Sequence, residues 1–153
     1  MASSTPHTIA IQGGAARLEE TSGEAAIKPG HLLAVSSGEV IKHATADGTV
    51  LPVLVALEAV TAAAAAKAAI DSTYDDGDTV YYAVGQPGDV FYMWLATGNN
   101  AVDGVSPLGS NGDGTLKVVT VAAGTLEGST VGVPVGSLNN ASGSAQRLKV
   151  RIS

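Results

Sequence analysis

Apolar residues recur along this chain in short bursts, and Gly, Pro, Asn or Asp separates one burst from the next. HLLAVS (31–36) and EVIKHA (39–44) come first, divided by Ser37-Gly38, a pair that reads as a tight hairpin turn. VLPVLVALEAV (50–60), TVYYAV (79–84) and DVFYMWLA (89–96) follow, then TLKVVTVA (115–122), STVGVPVGSL (129–138) and QRLKVRI (146–152). Repeated β-rich runs with such punctuation predict an all-β barrel or sandwich. One stretch, AVTAAAAAKAAI (59–70), has helical composition, but a run this short is marginal alone; a short helix and a packed connector both fit it.

Residues 1–20 are small and polar, with Pro6 and Gly13-Gly14, and read as a flexible N-terminal arm preceding one β domain over 21–153. Within that domain the pattern repeats faintly. PGHLLAVSSGEVIKHA from Pro29 and DGVSPLGSNGDGTLKVVT from Asp103 match Gly30 with Gly104, Ser36 with Ser110 and Gly38 with Gly112. Each then runs to a Val-rich strand, which predicts two similar β-units sharing one barrel.

Five of the chain's six aromatic residues fall in YYAVGQPGDVFYMW (81–94), where the strands 79–84 and 89–96 read as a hairpin across GQPG. By parity Val80, Tyr82 and Val84 share one face and Tyr81 and Ala83 the other; Phe91, Met93 and Leu95 oppose Val90, Tyr92, Trp94 and Ala96. Both faces are apolar or aromatic, so the stretch is expected to be covered on both sides. The barrel core covers one. A neighbouring subunit, a sugar, or the chain itself covers the other, Tyr and Trp being enriched in interfaces. In QRLKVRI, Arg147, Lys149 and Arg151 line one face and Leu148, Val150 and Ile152 the other. That basic row is either a solvated face or a partner for acid: Asp75, Asp76 and Asp78, or another protein's surface.

Composition narrows the function. The chain is 45% hydrophobic but only 4% aromatic, so its core is built from small side chains that each bury little area; such chains often gain stability in oligomers. A net charge of −6 argues against nucleic-acid binding. There is no Cys, and the most apolar region (50–70) is interrupted by Pro52, Glu58, Thr61 and Lys67, so no membrane span is expected.

Candidate chemistry is sparse. Asp71, Asp75, Asp76 and Asp78 do not follow calcium-loop spacing, and NGDGT (111–115) reads as a turn. His7, His31 and His43 show neither metal-ligand spacing nor a nucleophile elbow, and no phosphate-cradling Gly loop occurs. No catalytic, cofactor or metal residue is therefore assigned, and the chain is read as a non-enzyme. AIDSTYDDGD resembles one motif of the trimeric dUTP pyrophosphatases, in which an Ile-Asp pair and a Tyr shape the uracil pocket. Their water-activating aspartate motif, Pro-Arg-Ser motif and Gly-rich C-terminal arm have no counterpart here.

A broader resemblance covers residues 24–152. PGHLLAVSSGEVIKHAT, LVALEAV, AIDSTYDDGDTVYYAVGQPGDVFYMWLATGNNAVDGVSPLGSNGDGTL and VGVPVGSLNNASGSAQRLKVRI together resemble the capsid decoration (cement) proteins of tailed bacteriophages. The resemblance implies a barrel or tulip-like β domain, usually trimeric. It would sit on the outer capsid surface at threefold and quasi-threefold positions and clamp adjacent major-capsid subunits after expansion. It further implies synthesis in the bacterial cytoplasm and an N-terminal arm that reaches along the capsid. Two departures stand out: VGVPVG where such proteins tend to repeat ALE, and the Ala run at 62–66 where Gly-Lys is common. On this reading Tyr81, Tyr82, Phe91, Tyr92, Trp94, Arg147, Lys149 and Arg151 form the interface with the capsid or with sister subunits. The competing expectation is a stand-alone receptor- or glycan-binding β-module.

Overall fold

The computed structural model describes residues 5–58, 69–120, 128–141 and 143–153, and among them the chain is all-β. Most of the helical candidate at 59–70 lies outside the described residues; its described end, Ala69–Asp71, is a single 3-10 turn. Ahead of it come β1 (Ala10–Gln12), β2 (Ala16–Thr21), β3 (Leu32–Ser36), β4 (Glu39–Lys42) and β5 (Val53–Ala56). After it come β6 (Thr79–Gly85), β7 (Val90–Leu95), β8 (Asn99–Ala101), β9 (Leu108–Ser110) and β10 (Leu116–Val118). β11 (Thr130–Val135), β12 (Leu138–Asn140) and β13 (Gln146–Ile152) complete the fold.

These strands form two units of the same topology. The first is a sheet in the order β4-β3-β5-β6-β2; the second runs β10-β9-β11-β13-β7 and closes as a five-stranded barrel, with β8 and β12 as a separate two-stranded ribbon. Both units close by a parallel contact. Leu95 of β7 pairs with Leu116, and Ser22, just past β2, pairs with Val40. The matching hydrogen bonds are Ala96 N–H to Leu116 O at 2.8 Å and Gly23 N–H to Val40 O at 2.9 Å. Gly30 N–H donates to Ala56 O at 2.8 Å, and Gly104 N–H to Pro134 O at 2.9 Å. The sequence repeat is thus a structural repeat, with two corrections. Each unit has its own sheet rather than a share of one barrel. And because Val35 faces Val40 as Ser110 faces Leu116, the partner of Ser110 is Val35, not Ser36. A one-residue offset between the two glycine-led segments is invisible to a match on Gly and Ser.

Alternation builds two cores around the strands of the first unit. On β5, which is buried throughout, Val53 and Val55 join Leu32, Ala83, Phe91, Met93, Leu95, Leu116, Val131 and Val150 in a large cluster. Leu54 and Ala56 point the other way, into a smaller cluster with Ile27, Leu33, Val40, Tyr74, Val80 and Tyr82. The aromatic stretch is therefore covered on both faces, but largely by this chain itself. It is also not a hairpin. β6 pairs with β2 and β5, whereas β7 pairs with β1, β10 and β13, so GQPG carries the chain from one unit into the next. The Ser37-Gly38 turn is as expected: both residues have positive φ (54° and 79°), as a two-residue hairpin loop requires.

Residues 1–20 are likewise not an arm along their described length. β1 pairs antiparallel with β7, β2 pairs with β6 from Ala16 to Thr21, and Ile9 is fully buried. The polar composition misleads because one apolar anchor, Ile9, together with backbone hydrogen bonds to an existing sheet, is enough to order a short strand.

Candidate functional site

β7 and β13 run antiparallel, with Trp94 opposite Arg147, Tyr92 opposite Lys149 and Val90 opposite Arg151. The alternation that sends Phe91, Met93 and Leu95 into the barrel leaves Tyr92 and Trp94 on its outer face, partly exposed, beside the basic row. Four of the anticipated residues thus meet on one surface: Tyr92, Trp94, Arg147 and Lys149. Arg151 extends the row and is exposed. Tyr81 lies apart, half-buried beside β2, and lines a cleft with Arg17, Leu18 and Glu19. Tyr82 and Phe91 are 7% and 1% exposed and belong to the two cores, so they offer no surface to a partner.

Arg147 is the centre of the group. Its guanidinium stacks over Trp94 at 4.3 Å and lies 5.9 Å from the Tyr92 ring. It donates to Pro29 O at 3.2 Å, to Ile70 O, and to Asp71 Oδ1 at 3.2 Å. Trp94 Nε1 donates to the same Pro29 carbonyl at 2.9 Å, and Lys28 Nζ sits 5.4 Å from the indole centroid. The basic row does meet acid, but through Asp71 rather than Asp75, Asp76 or Asp78. Asp78 is otherwise engaged: its Oδ2 accepts from Asp75 N–H at 2.7 Å and closes a turn. The Arg147 side chain is only 9% exposed, whereas that of Asp71 is 62% exposed, so the carbonyls and the indole face hold the cation more firmly than the ion pair does.

Lys28, Pro29 and Gly30 belong to the first unit, Trp94 and Arg147 to the second. Gly30 is what lets them approach. Its φ is +93°, and a Cβ there would stand 2.7 Å from Tyr92 O and 3.3 Å from Trp94 Cδ1. His31 follows, with its ring 6.4 Å from Trp94 and its Nδ1 accepting from Lys28 N–H at 3.0 Å. Burial, reinforced by the charges of Lys42 and Lys28, lowers the His31 pKa to about 4, so the imidazole is neutral at ordinary pH. Sequence reasoning missed Lys28, Pro29, Ile70 and Asp71 as parts of this site. No spacing signal links them to Arg147, because only the docking of the two units brings them together.

Two clefts flank the cluster. One of about 440 Å³ is lined by His7, Asp71, Tyr92, Trp94, Gln146 and Arg147 among others; a second of about 280 Å³ lies between Tyr92, Lys149 and Val135–Leu138. Thr5 and Pro6 border both. The Trp94 ring already carries two cations, which leaves it poorly placed as an open platform for a sugar. Elsewhere, NGDGT is a turn locked by Asp113 Oδ1, which accepts from Thr115 N–H at 3.0 Å and Asn111 Nδ2 at 3.3 Å. Burial raises the Asp113 pKa, but hydrogen bonds from Thr115 and Asn111 outweigh it and hold the carboxyl below its ordinary value. His43 bridges the units, with Nδ1 2.7 Å from Ser110 Oγ and Nε2 2.9 Å from Thr49 O. Among the described residues no three His, Asp or Glu side chains gather as they would around a metal ion.

No protein-family model matches the chain, and no curated protein is significantly similar to it. Among solved structures, the fold is similar to that of the N base of the head fiber gp8.5 of bacteriophage phi29, at 17% sequence identity and a TM-score of 0.57. That likeness covers 90% of this chain and 93% of the other, so it extends over nearly the whole of both.

Proposed function

We propose that the chain is a structural virion protein of a tailed bacteriophage. It binds the outside of the expanded capsid as a homotrimer at threefold and quasi-threefold positions and clamps adjacent major-capsid subunits. The observation that carries this reading is the fold shared, over nine-tenths of each chain, with the base of a phage head fiber. The sequence resemblance to decoration proteins over residues 24–152 supports the finer part of the reading. The role is one of binding, without catalysis. A ligand that recognises only the assembled lattice stabilises it by mass action, and a trimer touching several subunits gains effective concentration at each further contact. The surface assigned to these contacts is the outer face of β7 and β13: Tyr92, Trp94, Arg147, Lys149 and Arg151.

The test is co-sedimentation of the purified chain with expanded, undecorated capsids of the phage that encodes it, titrated to saturation. Saturation at a copy number divisible by three, with a raised capsid melting temperature, is the expected result. Failure to bind intact expanded shells overturns the reading. In that case a response of Trp94 fluorescence to added sugars would mark a glycan-binding module instead.

A further inference from the structure

The two halves of the structural repeat differ at the outer edge of their first strand. In the second unit, β7 has β13 on one edge, and β1 pairs with its other edge, Ala10 opposite Phe91 and Gln12 opposite Val90. β2 is the counterpart of β7 by its closing contact at Ser22, yet among the described residues it has β6 on one side and touches β4 only at that end. All six residues of β2 are exposed, and Leu18 is 48% exposed. An unpaired strand edge is a template for another strand.

We propose that β2 pairs with β2 of a second copy of this chain across a twofold axis, joining the two first-unit sheets edge to edge. The charges of ARLEET select both the occupant and its register. In an antiparallel pair of identical strands related by a twofold axis, one residue faces its own copy. Centring on Arg17, Glu19 or Glu20 sets like charges opposite each other, and centring on Ala16 or Thr21 leaves most of the strand unpaired. Centring on Leu18 sets Leu18 against Leu18 and each Arg17 against the other copy's Glu19, two opposite-charge pairs.

The backbone agrees with that register. Ser22 N–H donates to Asp78 O, so even-numbered positions of β2 bond inward to β6 and odd-numbered ones face out. Arg17 and Glu19 therefore point their free N–H and C=O groups at the partner, and in the Leu18-centred register these two residues are the hydrogen-bonded pair. The contact does not depend on the trimer. Within a capsid lattice it would link neighbouring trimers across local twofold axes.

The chain contains no cysteine, so Leu18→Cys places a single thiol at the axis, where a facing pair in an antiparallel ladder is close enough for a disulfide. Under mild oxidation of the full chain, Leu18→Cys is expected to form covalent dimers, while Leu51→Cys, a site 63% exposed in the wild type, stays monomeric or cross-links far more slowly. Adding Glu19→Arg to Leu18→Cys is expected to abolish the dimer, and adding Arg17→Glu as well to restore it. Cross-linking of Leu18→Cys no faster than of Leu51→Cys overturns the proposal. So does a Leu18→Cys, Glu19→Arg variant that cross-links as readily as Leu18→Cys alone. Either failure leaves capsid binding through β7 and β13 untouched, since the two surfaces share no residue.

Discussion

Replacing Arg147 with Met keeps the aliphatic stem and removes the cation, and the geometry says what that costs. Lost are the hydrogen bonds to Pro29 O and Ile70 O and the stack on Trp94 at 4.3 Å. Pro29 O keeps Trp94 Nε1 as a donor, so the Ile70 carbonyl bears most of the penalty. A hydrogen bond from a charged donor is worth about 1.5–3 kcal/mol, and a partly desolvated cation–π contact about 1–2 kcal/mol. These terms share one side chain and do not simply add, so the expected loss is about 3 kcal/mol. For a domain of this size that corresponds to a fall in Tm of roughly 6–12 °C. The ion pair is the smaller part. Asp71→Asn leaves both carbonyls and the indole in place, and the Asp71 side chain is 62% exposed, so it should cost no more than about 1 kcal/mol. Arg147→Lys should fall between the two, because an ammonium keeps the charge but not the planar fork that reaches several acceptors at once. Urea unfolding of the purified chain, read by tryptophan fluorescence and by far-UV circular dichroism, measures all three. A cost below about 1 kcal/mol for Arg147→Met, or an equal cost for Asp71→Asn, would refute the assignment of Arg147 as the tie between the two units.

Gly30→Ala and Gly38→Ala separate two effects, since both positions have positive φ but only Gly30 has a backbone atom in the way. Gly38→Ala should cost about 1–2 kcal/mol and Gly30→Ala clearly more, as judged by unfolding midpoints; equal costs would mean that the Gly30 approach to Tyr92 is not tight. Tyr74 is fully buried, donates to Leu57 O at 3.0 Å and accepts from Tyr81 N–H at 3.4 Å. Tyr74→Phe should therefore lose about 1–3 kcal/mol despite its nearly equal volume, and a neutral outcome would show that water replaces the hydroxyl. His31 supplies a pH dependence: with a folded pKa of about 4 against 6.5 when unfolded, the unfolded chain binds the extra proton between those values. Stability should then fall as pH drops from about 6.5 to 4, by about 3 kcal/mol for this group. Asp113, held below its ordinary value, adds loss in the same direction. His31→Asn, which can still accept from Lys28 N–H, should flatten the slope above pH 4; an unchanged slope would assign it to other groups.

The all-β class was legible because Gly and Asp punctuation and period-two alternation are local signals, and the Ser37-Gly38 turn is as local as a signal can be. Leu148, Val150 and Ile152 turn inward as their parity predicts. The repeat was legible in outline through Gly30 and Gly104, which play the same hydrogen-bonding role, but its register was not, because Val35 and Ser110 share a position and no chemistry. The errors share a cause. GQPG looks like a hairpin loop, and residues 1–20 look like an arm, since strand pairing depends on distant partners that leave no local mark. Asp71 reached Arg147 ahead of the more numerous Asp75, Asp76 and Asp78 for the same reason: proximity in space, not local charge density, decides an ion pair.

The aromatics between residues 81 and 94 take different places in the two-unit architecture. The large cluster takes residues from both units and is built mainly of Leu, Val and Ile, with Phe91 as the one aromatic among its buried members. β6 closes the first unit and β7 opens the second, so GQPG joins the two. Tyr82 fills the inner cluster of the first unit, Tyr81 packs against both cores, and Trp94 reaches from β7 to the Pro29 carbonyl of the first unit. Trp94 thus has a structural task inside the monomer before any partner is considered. A Trp94→Ala variant that fails to bind capsids would therefore not by itself locate the interface. Lys149→Glu and Arg151→Glu, on the same face but without a bond between the units, are the substitutions that separate binding from folding: they should weaken capsid co-sedimentation while leaving the unfolding midpoint nearly unchanged, and full binding by the double variant would move the contact away from β13.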